Sequence, residues 1–188
     1  MQRDLVVRAQ HGDHAAFTAL AAGAVQSLYA TARLILRHDE LAEDAVQETL
    51  VKAWIAIRGL RDPDRFDAWL YRLVVRACYR AARGETRRRT IEVRELPNDS
   101  PLGAAQPDSQ RALVARDLLE RGFRRLSPDQ RAVLVAHFYL DLSDAEAAEV
   151  LDIPTGTLKS RLSRATTALR AALEADDRQP VLTTESPA

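Results

Sequence analysis

Small polar and cationic residues gather in one segment near the C-terminal end of the chain, and they are the residues best suited to chemistry. They are Thr157, Lys159, Ser160, Ser163 and Arg164. Small side chains let a helix sink into the major groove of DNA, and Lys and Arg supply hydrogen bonds to phosphate or to guanine. The segment is therefore a candidate for nucleic-acid recognition.

The surrounding stretch, Leu142 to Leu173, carries the signals of two helices joined by a tight turn. Ser143 and Glu146 form an S-x-x-E capping box, which predicts a helix that starts just after Ser143. Pro154 ends that helix, and Thr155 is the predicted N-cap of the next, whose apolar residues recur at spacings of three and four. The spacing is about equally compatible with two structures. One is a DNA-reading helix-turn-helix, and the other is an ordinary amphipathic hairpin whose polar face is solvated.

Asp152 stands in the turn between these two helices, where a left-handed backbone is expected. Gly is the usual residue at such a position because it has no Cβ to clash. If Asp152 adopts this geometry, Asp152→Gly should stabilise the domain slightly.

A second cationic surface is predicted on a helix in the first half of the chain. Arg72, Arg76 and Arg80 repeat every four residues and lie on one side of that helix; they are named the arginine ridge below. Cations are favoured at a helix C-terminus, but this preference explains a couple of the arginines between positions 72 and 89 and not all of them. A ridge that faces phosphates is the better interpretation.

The helix predicted from Glu40 to Ile57, with Asp39 as its N-cap, has two unlike faces. One face is apolar and includes Trp54. The other carries carboxylates and an amide, from Glu40, Glu43, Asp44, Gln47 and Glu48. A solvated surface is the default interpretation of such a face on an isolated helix.

Composition limits the possible classes of protein. Lys and Arg total 27, as do Asp and Glu, so the net charge says nothing about a nucleic-acid partner. The single cysteine, Cys78, excludes an intramolecular disulfide and fits a reducing compartment. There is neither an apolar signal core at the N-terminus nor a run of about eighteen apolar residues, so we expect a cytoplasmic protein without membrane insertion.

The periodic segments all predict helices, so the expected fold class is all-α, with two small helical domains joined by a flexible linker. The first domain is predicted at 1–90 and the second, which ends in the helix-turn-helix, at 109–175. The linker, 91–108, is rich in Pro and polar residues, and the tail, 176–188, has the composition of a disordered segment.

An enzyme is not expected from this sequence. The four histidines, His11, His14, His38 and His137, are scattered, and neither a glycine-rich phosphate loop nor metal-ligand spacing is present. The sequence therefore predicts no catalytic residue, no metal and no cofactor.

Three segments resemble extracytoplasmic-function (ECF) sigma factors of the bacterial sigma-70 superfamily. They are LAEDAVQETLVKAW (41–54), RFDAWLYRL (65–73) and LSPDQRAVLVAHFYLDLSDAEAAEVLDIPTGTLKSRLSRA (126–165). The first and last phrases are each specific, and they occur in the order found in the family. The resemblance covers about Asp4 to Leu173 apart from the linker, and it favours the helix-turn-helix interpretation.

The resemblance implies an alternative transcription initiation factor, typical of stress responses, that binds core RNA polymerase and assists strand opening at promoters. The first domain would be sigma domain 2 and the second sigma domain 4. Asp44, Gln47 and Glu48 would dock on the β′ clamp helices of the polymerase, and the β flap is a second expected contact. An anti-sigma factor is a further expected partner.

The resemblance also assigns the DNA-binding residues. Contacts to the −35 element would come from Thr157, Lys159, Ser160, Ser163 and Arg164. Contacts to the −10 element would come from Arg58, Arg61, Arg65, Phe66, Arg72, Arg76 and Arg80. Phe66 and Trp69 have the alternative of packing in the core.

This sequence departs from the family at the arginine ridge. Many relatives carry Asn at the position of Arg76 and Asp at the position of Arg80, so the family's base preference at −10 does not transfer. Two extra cations should raise non-specific affinity for DNA and its salt dependence. The alternative function is a stand-alone helix-turn-helix regulator, which would leave the acidic helix and the ridge unexplained.

Overall fold

The structure, a computed structural model, describes residues 1–89 and 118–177. Every regular element in these ranges is a helix, as the all-α prediction requires. The helices are α1 (Gln2–Gln10), α2 (His14–Leu36), α3 (Asp39–Ala56), α4 (Phe66–Arg89), α5 (118–124), α6 (Pro128–Leu134), α7 (Asp144–Leu151) and α8 (Thr155–Asp177). The predicted linker, 91–108, lies outside the described residues, as does the predicted tail beyond Asp177.

Side-chain caps fix the starts of several helices, including the capping box predicted at Ser143. The carboxylate of Asp13 accepts a hydrogen bond from the N–H of Ala16 at 3.0 Å and caps α2. Ser127 and Ser143 each form a complete capping box, with Gln130 and Glu146 as the third helical residues. These caps satisfy backbone donors that a helix start otherwise leaves unpaired.

Three predicted caps are wrong by a few residues. His38, with extended backbone, caps α3 through its Nδ1, so Asp39 is the first helical residue. The helix that carries the arginine ridge was predicted to be capped by Asp64 or Asp67, but Asp62 caps a short 3-10 turn, Pro63–Arg65, and α4 follows it directly. Thr155 is the first residue of α8 and not its N-cap.

The N-terminal bundle, α1 to α4, is built around α2, which packs against the other three helices. Leu28, Ala32 and Ile35 of α2 are completely buried. Of the helices that the structure describes, α2 alone is long and apolar enough to meet the length and composition of a membrane span. Its central position in the bundle accounts for that apolar character.

The C-terminal bundle, α5 to α8, is held mainly by contacts of α8 with α6 and α7. After α6 the chain widens into one π-helical stretch, Val135–Tyr139, where the N–H of Leu140 bonds to the carbonyl of Val135 at 3.0 Å. This widening turns Phe138 outward, so that it is 64% exposed. A regular α-helix over 132–138, which the sequence predicts as a packing face, would instead have kept this side chain in the core.

The two bundles pack against each other, an arrangement that the sequence left open. In this arrangement, named the closed form below, α4 lies against α6 and α7, and α2 also contacts α6. The buried guanidinium of Arg131 connects the bundles, because its Nε donates to the carbonyl of Ile35 at 2.6 Å and its Nη1 to that of Leu126 at 2.6 Å. Burial, and then the charge of Arg37, lowers the pKa of Arg131 to about 10.

Candidate nucleic-acid interface

The predicted −35 residues lie together on α8, on the side away from its buried stripe. Lys159, Ser160, Ser163 and Arg164 are exposed, and Thr157 is half-buried. On the opposite side, Leu158 and Ala165 are completely buried against the C-terminal bundle. The helix therefore presents a cationic and hydroxyl-bearing surface, which is named the α8 polar face.

Weak local contacts hold the side chains of the α8 polar face. The Nε of Arg164 donates to the carbonyl of Ser160 at 3.2 Å, and the Oγ of Ser160 donates to the carbonyl of Thr157 at 2.9 Å. The Nζ of Lys159 is 3.9 Å from a carboxylate oxygen of Asp144. Exposed contacts of this kind contribute little to stability, so the side chains remain available for another partner.

Asp152 ends α7 in the left-handed conformation that the sequence predicted, with φ 54° and ψ 50°. The N–H of Ile153 bonds back to the carbonyl of Ala148 at 3.0 Å and closes the turn. Asp141, just after the π-helical stretch, is also left-handed, with φ 50°. No prediction for this second position was made from the sequence.

The arginine ridge lies on α4 as predicted, but its members differ in environment. Arg76 and Arg80 are exposed, whereas Arg72 is half-buried beneath α7. The Nη2 of Arg72 bonds to Oε1 of Glu146 at 2.5 Å, across the contact between the two bundles. The opposite side of α4 is firmly packed, since Val74, Val75 and Cys78 are completely buried.

The loop between α3 and α4 exposes Arg58, Arg61 and Arg65 beside two short 3-10 turns. Phe66 differs from them, since it is 2% exposed and its ring centroid is 6.0 Å from that of Trp69. In this arrangement Phe66 is a core residue and not a wall of a base pocket, which is the alternative that the sequence left open. It holds the start of α4 in place under the arginines.

The acidic face of α3 is solvent-exposed, with Asp44, Gln47 and Glu48 on its surface. Glu48 is engaged within the chain, because its Oε1 bonds to Nη2 of Arg80 at 2.6 Å and also contacts Lys52. Trp54 is half-buried, with its ring 4.2 Å from that of His14, and so contributes to packing.

Sequence reasoning missed two apolar residues beside this acidic face. Val51 is 61% exposed and Ile55 is 72% exposed, although both belong to a well-packed helix. They are four residues apart and therefore adjacent on the helix surface. The sequence could have indicated them, because both lie away from the apolar face of α3, where an apolar side chain cannot pack in the core. The pair extends the acidic face with a small apolar surface.

In the described part of the chain, no three His, Cys, Asp or Glu side chains are placed to hold a metal ion. Burial raises the pKa of the Cys78 thiol to about 12, so this thiol is protonated near neutral pH. The arginine ridge and the acidic face adjoin through Glu48 and Arg80, whereas the α8 polar face is a separate surface.

Comparison with known proteins identifies both halves of the chain. The model of Sigma-70 region 2 matches residues 24–88, and that of Sigma-70, region 4 matches residues 108–169. The chain is 31% identical to the ECF RNA polymerase sigma-E factor of Escherichia coli, over 88% of this chain and 90% of that protein. It is also 31% identical to the ECF RNA polymerase sigma factor SigM of Mycobacterium tuberculosis, over 82% of this chain and 75% of the relative.

Solved structures agree with the sequence matches. The sigma factor RpoE of Bartonella quintana, solved with the anti-sigma factor NepR, has a TM-score of 0.62 and 25% identity, over 85% of this chain and 98% of that one. CnrH, solved with the cytosolic domain of CnrY, has a TM-score of 0.53 and 28% identity, over 93% of this chain and 98% of that one. The chain therefore belongs to the ECF sigma factors of the sigma-70 superfamily.

Proposed function

We propose that this chain is an alternative transcription initiation factor that binds core RNA polymerase and directs it to promoters through three surfaces, two of which adjoin. The observation that carries the proposal is the combination, in one sigma-70 family chain, of an exposed acidic face, an arginine ridge and a cationic recognition helix. Residues 1–90 would act as sigma domain 2 and residues 109–175 as sigma domain 4.

The acidic face of α3 is the proposed docking surface for the β′ clamp helices of the polymerase. Asp44 and Gln47 are exposed and offer acceptors and a donor to a basic partner. The neighbouring exposed pair, Val51 and Ile55, supplies apolar area that such a contact would bury. Glu48 would exchange its internal partner, Arg80, for a polymerase cation. The C-terminal bundle would meet the β flap.

The α8 polar face is the proposed reader of the −35 element. Arg164 is exposed, and its guanidinium has the geometry for a bidentate bond to guanine, worth about 1–3 kcal/mol of discrimination. Thr157, near the start of α8, would bind phosphate, where the backbone N–H groups of a helix N-terminus add to the attraction. Lys159, Ser160 and Ser163 would complete the contact.

The arginine ridge and the loop before α4 are the proposed −10 surface. Arg72, Arg76 and Arg80 would follow the phosphate backbone, and the loop arginines, Arg58, Arg61 and Arg65, would border a base extruded from the opened strand. Strand opening of this kind needs no bond cleavage, because binding energy to the displaced strand offsets the cost of unpairing. The chain would therefore act without a catalytic residue, a metal or a cofactor.

A regulatory partner is also proposed. The Bartonella quintana relative was solved with an anti-sigma factor. A comparable partner for this chain would have to cover one or both cationic surfaces, and an acidic segment is the chemistry that fits them. The alternative of a stand-alone operator-binding regulator is not favoured, because residues 24–88 match the Sigma-70 region 2 model.

Run-off transcription tests the proposal directly. Purified chain and core polymerase would be incubated with a library of randomised promoter sequences, and the transcribed templates would be sequenced. We expect transcripts only when both proteins are present, from templates that share two elements. Transcripts that do not require the chain, or promoter effects of the chain that do not require core polymerase, would contradict the proposal.

A further inference from the structure

We propose that α1 positions the −10 loop, the segment 57–65 between α3 and α4, and that Gln10 of α1 is a positioning residue for the base contact made there. The −10 loop carries three arginines, Arg58, Arg61 and Arg65. This inference rests on the proposed role of these arginines beside an extruded base. Gln10 lies outside residues 24–88, which match the Sigma-70 region 2 model, so the inference extends the proposed −10 surface to another helix.

The side-chain amide of Gln10 bridges the first turn of the −10 loop. Its Nε2 donates to the carbonyl of Leu60 at 2.7 Å and to the carbonyl of Ile57 at 3.2 Å. The N–H of Leu60 closes the same turn by donating to the carbonyl of Ile57 at 3.1 Å. A primary amide has two N–H donors, so this one side chain can satisfy both carbonyls and fix their separation. Arg58 and Arg61 directly follow the two anchored residues in the chain.

Gln10 is itself held by the packing of α1. Val6 and Ala9 of α1 are buried, with 0% and 1% of their surface exposed, and Gln10 is half-buried beside them. The helix cannot rotate without removing these two residues from the core. The amide is therefore presented to the loop by a well-packed element, which is what a positioning residue requires.

The turn between α1 and α2 supports Arg58. Gly12 in this turn has a left-handed backbone, with φ 94°, and a Cβ at this position would lie 3.6 Å from the Nη2 of Arg58. The turn is held in place by Arg8, whose Nη2 donates to the carboxylate of Asp13 at 2.7 Å. The guanidinium of Arg58 thus lies beside a fixed backbone, although the residue is exposed.

The start of α1 contacts the second turn of the −10 loop. Arg3 forms an ion pair with Asp64, and the Nε2 of Gln2 donates to a carboxylate oxygen of Asp67 at 2.7 Å, at the start of α4. Exposed contacts of this kind contribute little to the free energy of unfolding, so their main effect is on the position of the loop. Together with the amide of Gln10, they place α1 against both turns of the loop.

All of these contacts join residues of the N-terminal bundle, so they do not depend on the closed form. A base that fits the −10 loop gains its contacts only when the loop arginines are in place. If the loop is free to move, binding of the fitting base must also order the loop, whereas a base that makes no contact with the loop carries no such cost. Loss of Gln10 should therefore lower the discrimination between bases more than the general affinity for DNA.

The experiment compares polymerase holoenzyme that contains the wild-type chain with holoenzyme that contains Gln10→Ala. Gln26→Ala is the matched control, because it removes the same amide from an exposed position on α2. Arg3→Ala is a second variant, which breaks an exposed contact at the other turn of the −10 loop. Urea denaturation of each free chain establishes that it is folded.

Three quantities are measured. A single-stranded DNA library with randomised positions, sequenced before and after binding to holoenzyme, gives the base preference at each −10 position. A duplex library randomised at the −35 element gives the preference there, which the −10 loop should not affect. Hydrogen–deuterium exchange of the free chain reports the motion of the loop amides, including the N–H of Leu60.

We expect Gln10→Ala to lower the base preference at one −10 position about fivefold, which corresponds to the net contribution of about one hydrogen bond. The −35 preference should not change, and exchange of the loop amides should be faster. Arg3→Ala should lower the same −10 preference by a smaller factor. Gln26→Ala should change none of the three quantities.

An unchanged −10 preference in Gln10→Ala would overturn the proposal, and so would an equal loss of the −10 and −35 preferences, which indicates a general structural role. A lowered preference without faster exchange would also overturn it, because Gln10 would then act without ordering the loop. If Gln10→Ala does not fold, an unchanged −10 preference in Arg3→Ala has the same consequence. Absence of any −10 preference in the wild-type holoenzyme would instead contradict the proposed −10 surface, and this inference with it.

Discussion

Glu48 of α3 and Arg80 of α4 form an ion pair with a distance of 2.6 Å between Oε1 and Nη2. Both side chains are about half exposed, with values of 44% and 50% for Glu48 and Arg80. The pair joins a residue proposed to bind polymerase to one proposed to bind DNA. A polymerase cation that binds Glu48 would break this ion pair and free Arg80. Binding of polymerase and binding of DNA would therefore favour each other.

The double substitution Asp44→Ala/Glu48→Ala should reduce binding to core polymerase at least tenfold. The fold should survive, because exposed ion pairs such as Glu48–Arg80 contribute about 0–1 kcal/mol to stability. Fluorescence anisotropy with labelled chain would measure the affinity, and urea denaturation the free energy of unfolding. Glu149→Ala, an exposed acid on α7, is the control. Equal binding by the double variant and the wild type would exclude the acidic face as the docking surface.

Arg164→Ala and Arg80→Ala should weaken DNA binding in different ways. Loss of Arg164 should relax the base preference at the −35 element by about 1–3 kcal/mol, since a base-edge contact is removed. Loss of Arg80 should weaken binding alike on all sequences and reduce the salt slope by about 1. Both would be measured in the assembled holoenzyme on a set of −35 variants at several salt concentrations. A uniform loss over all sequences in Arg164→Ala would count against base reading.

Glycine should stabilise the chain at its left-handed aspartates. At Asp141, with φ 50°, we expect Asp141→Gly to raise the free energy of unfolding by about 0.5–1 kcal/mol, because relief of the Cβ clash exceeds the added freedom of the unfolded chain. At Asp152 the gain should be smaller, since its carboxylate also faces arginines of α4.

Urea denaturation would measure both effects, and Asp152→Asn would isolate the contribution of the charge. A loss of stability in Asp141→Gly would mean that the Asp141 side chain makes a stabilising contact that its backbone strain does not outweigh. A larger gain at Asp152 than at Asp141 would argue that the arginines do not attract Asp152.

Acid should destabilise the chain partly through Glu146. Hydrogen bonds from Ser143, and then the guanidinium of Arg72, hold the pKa of Glu146 below its usual 4.5. Because the pKa of Glu146 is lower in the folded state than in the unfolded state, ionised Glu146 stabilises the fold at any pH above the unfolded pKa. This stability is lost as the pH falls below about 4.5 and through the folded pKa. Thermal unfolding in steps between neutral pH and pH 3 should therefore show a shallower acid loss for Glu146→Gln than for Glu149→Gln. Identical profiles for the two variants would contradict this assignment.

The sequence by itself determined the features that depend on neighbouring residues. The capping boxes at Ser127 and Ser143, the stripe through Leu158 and Ala165, and the left-handed turn at Asp152 each involve residues at most a few positions apart. Helical geometry fixes such spacings directly, so they can be recognised in one dimension. The three segments that resemble sigma factors could be recognised for the same reason, because each is a continuous stretch of sequence.

Only the tertiary structure decided which distant groups meet. It paired Arg72 with Glu146, placed Arg131 against the carbonyl of Ile35, 96 positions away, buried Phe66 and turned Phe138 outward. No local pattern encodes these outcomes, because a charged residue on a helix face has many possible partners of similar energy in water. The choice among them follows from how the two bundles pack, and that packing sums many small contacts along the whole chain.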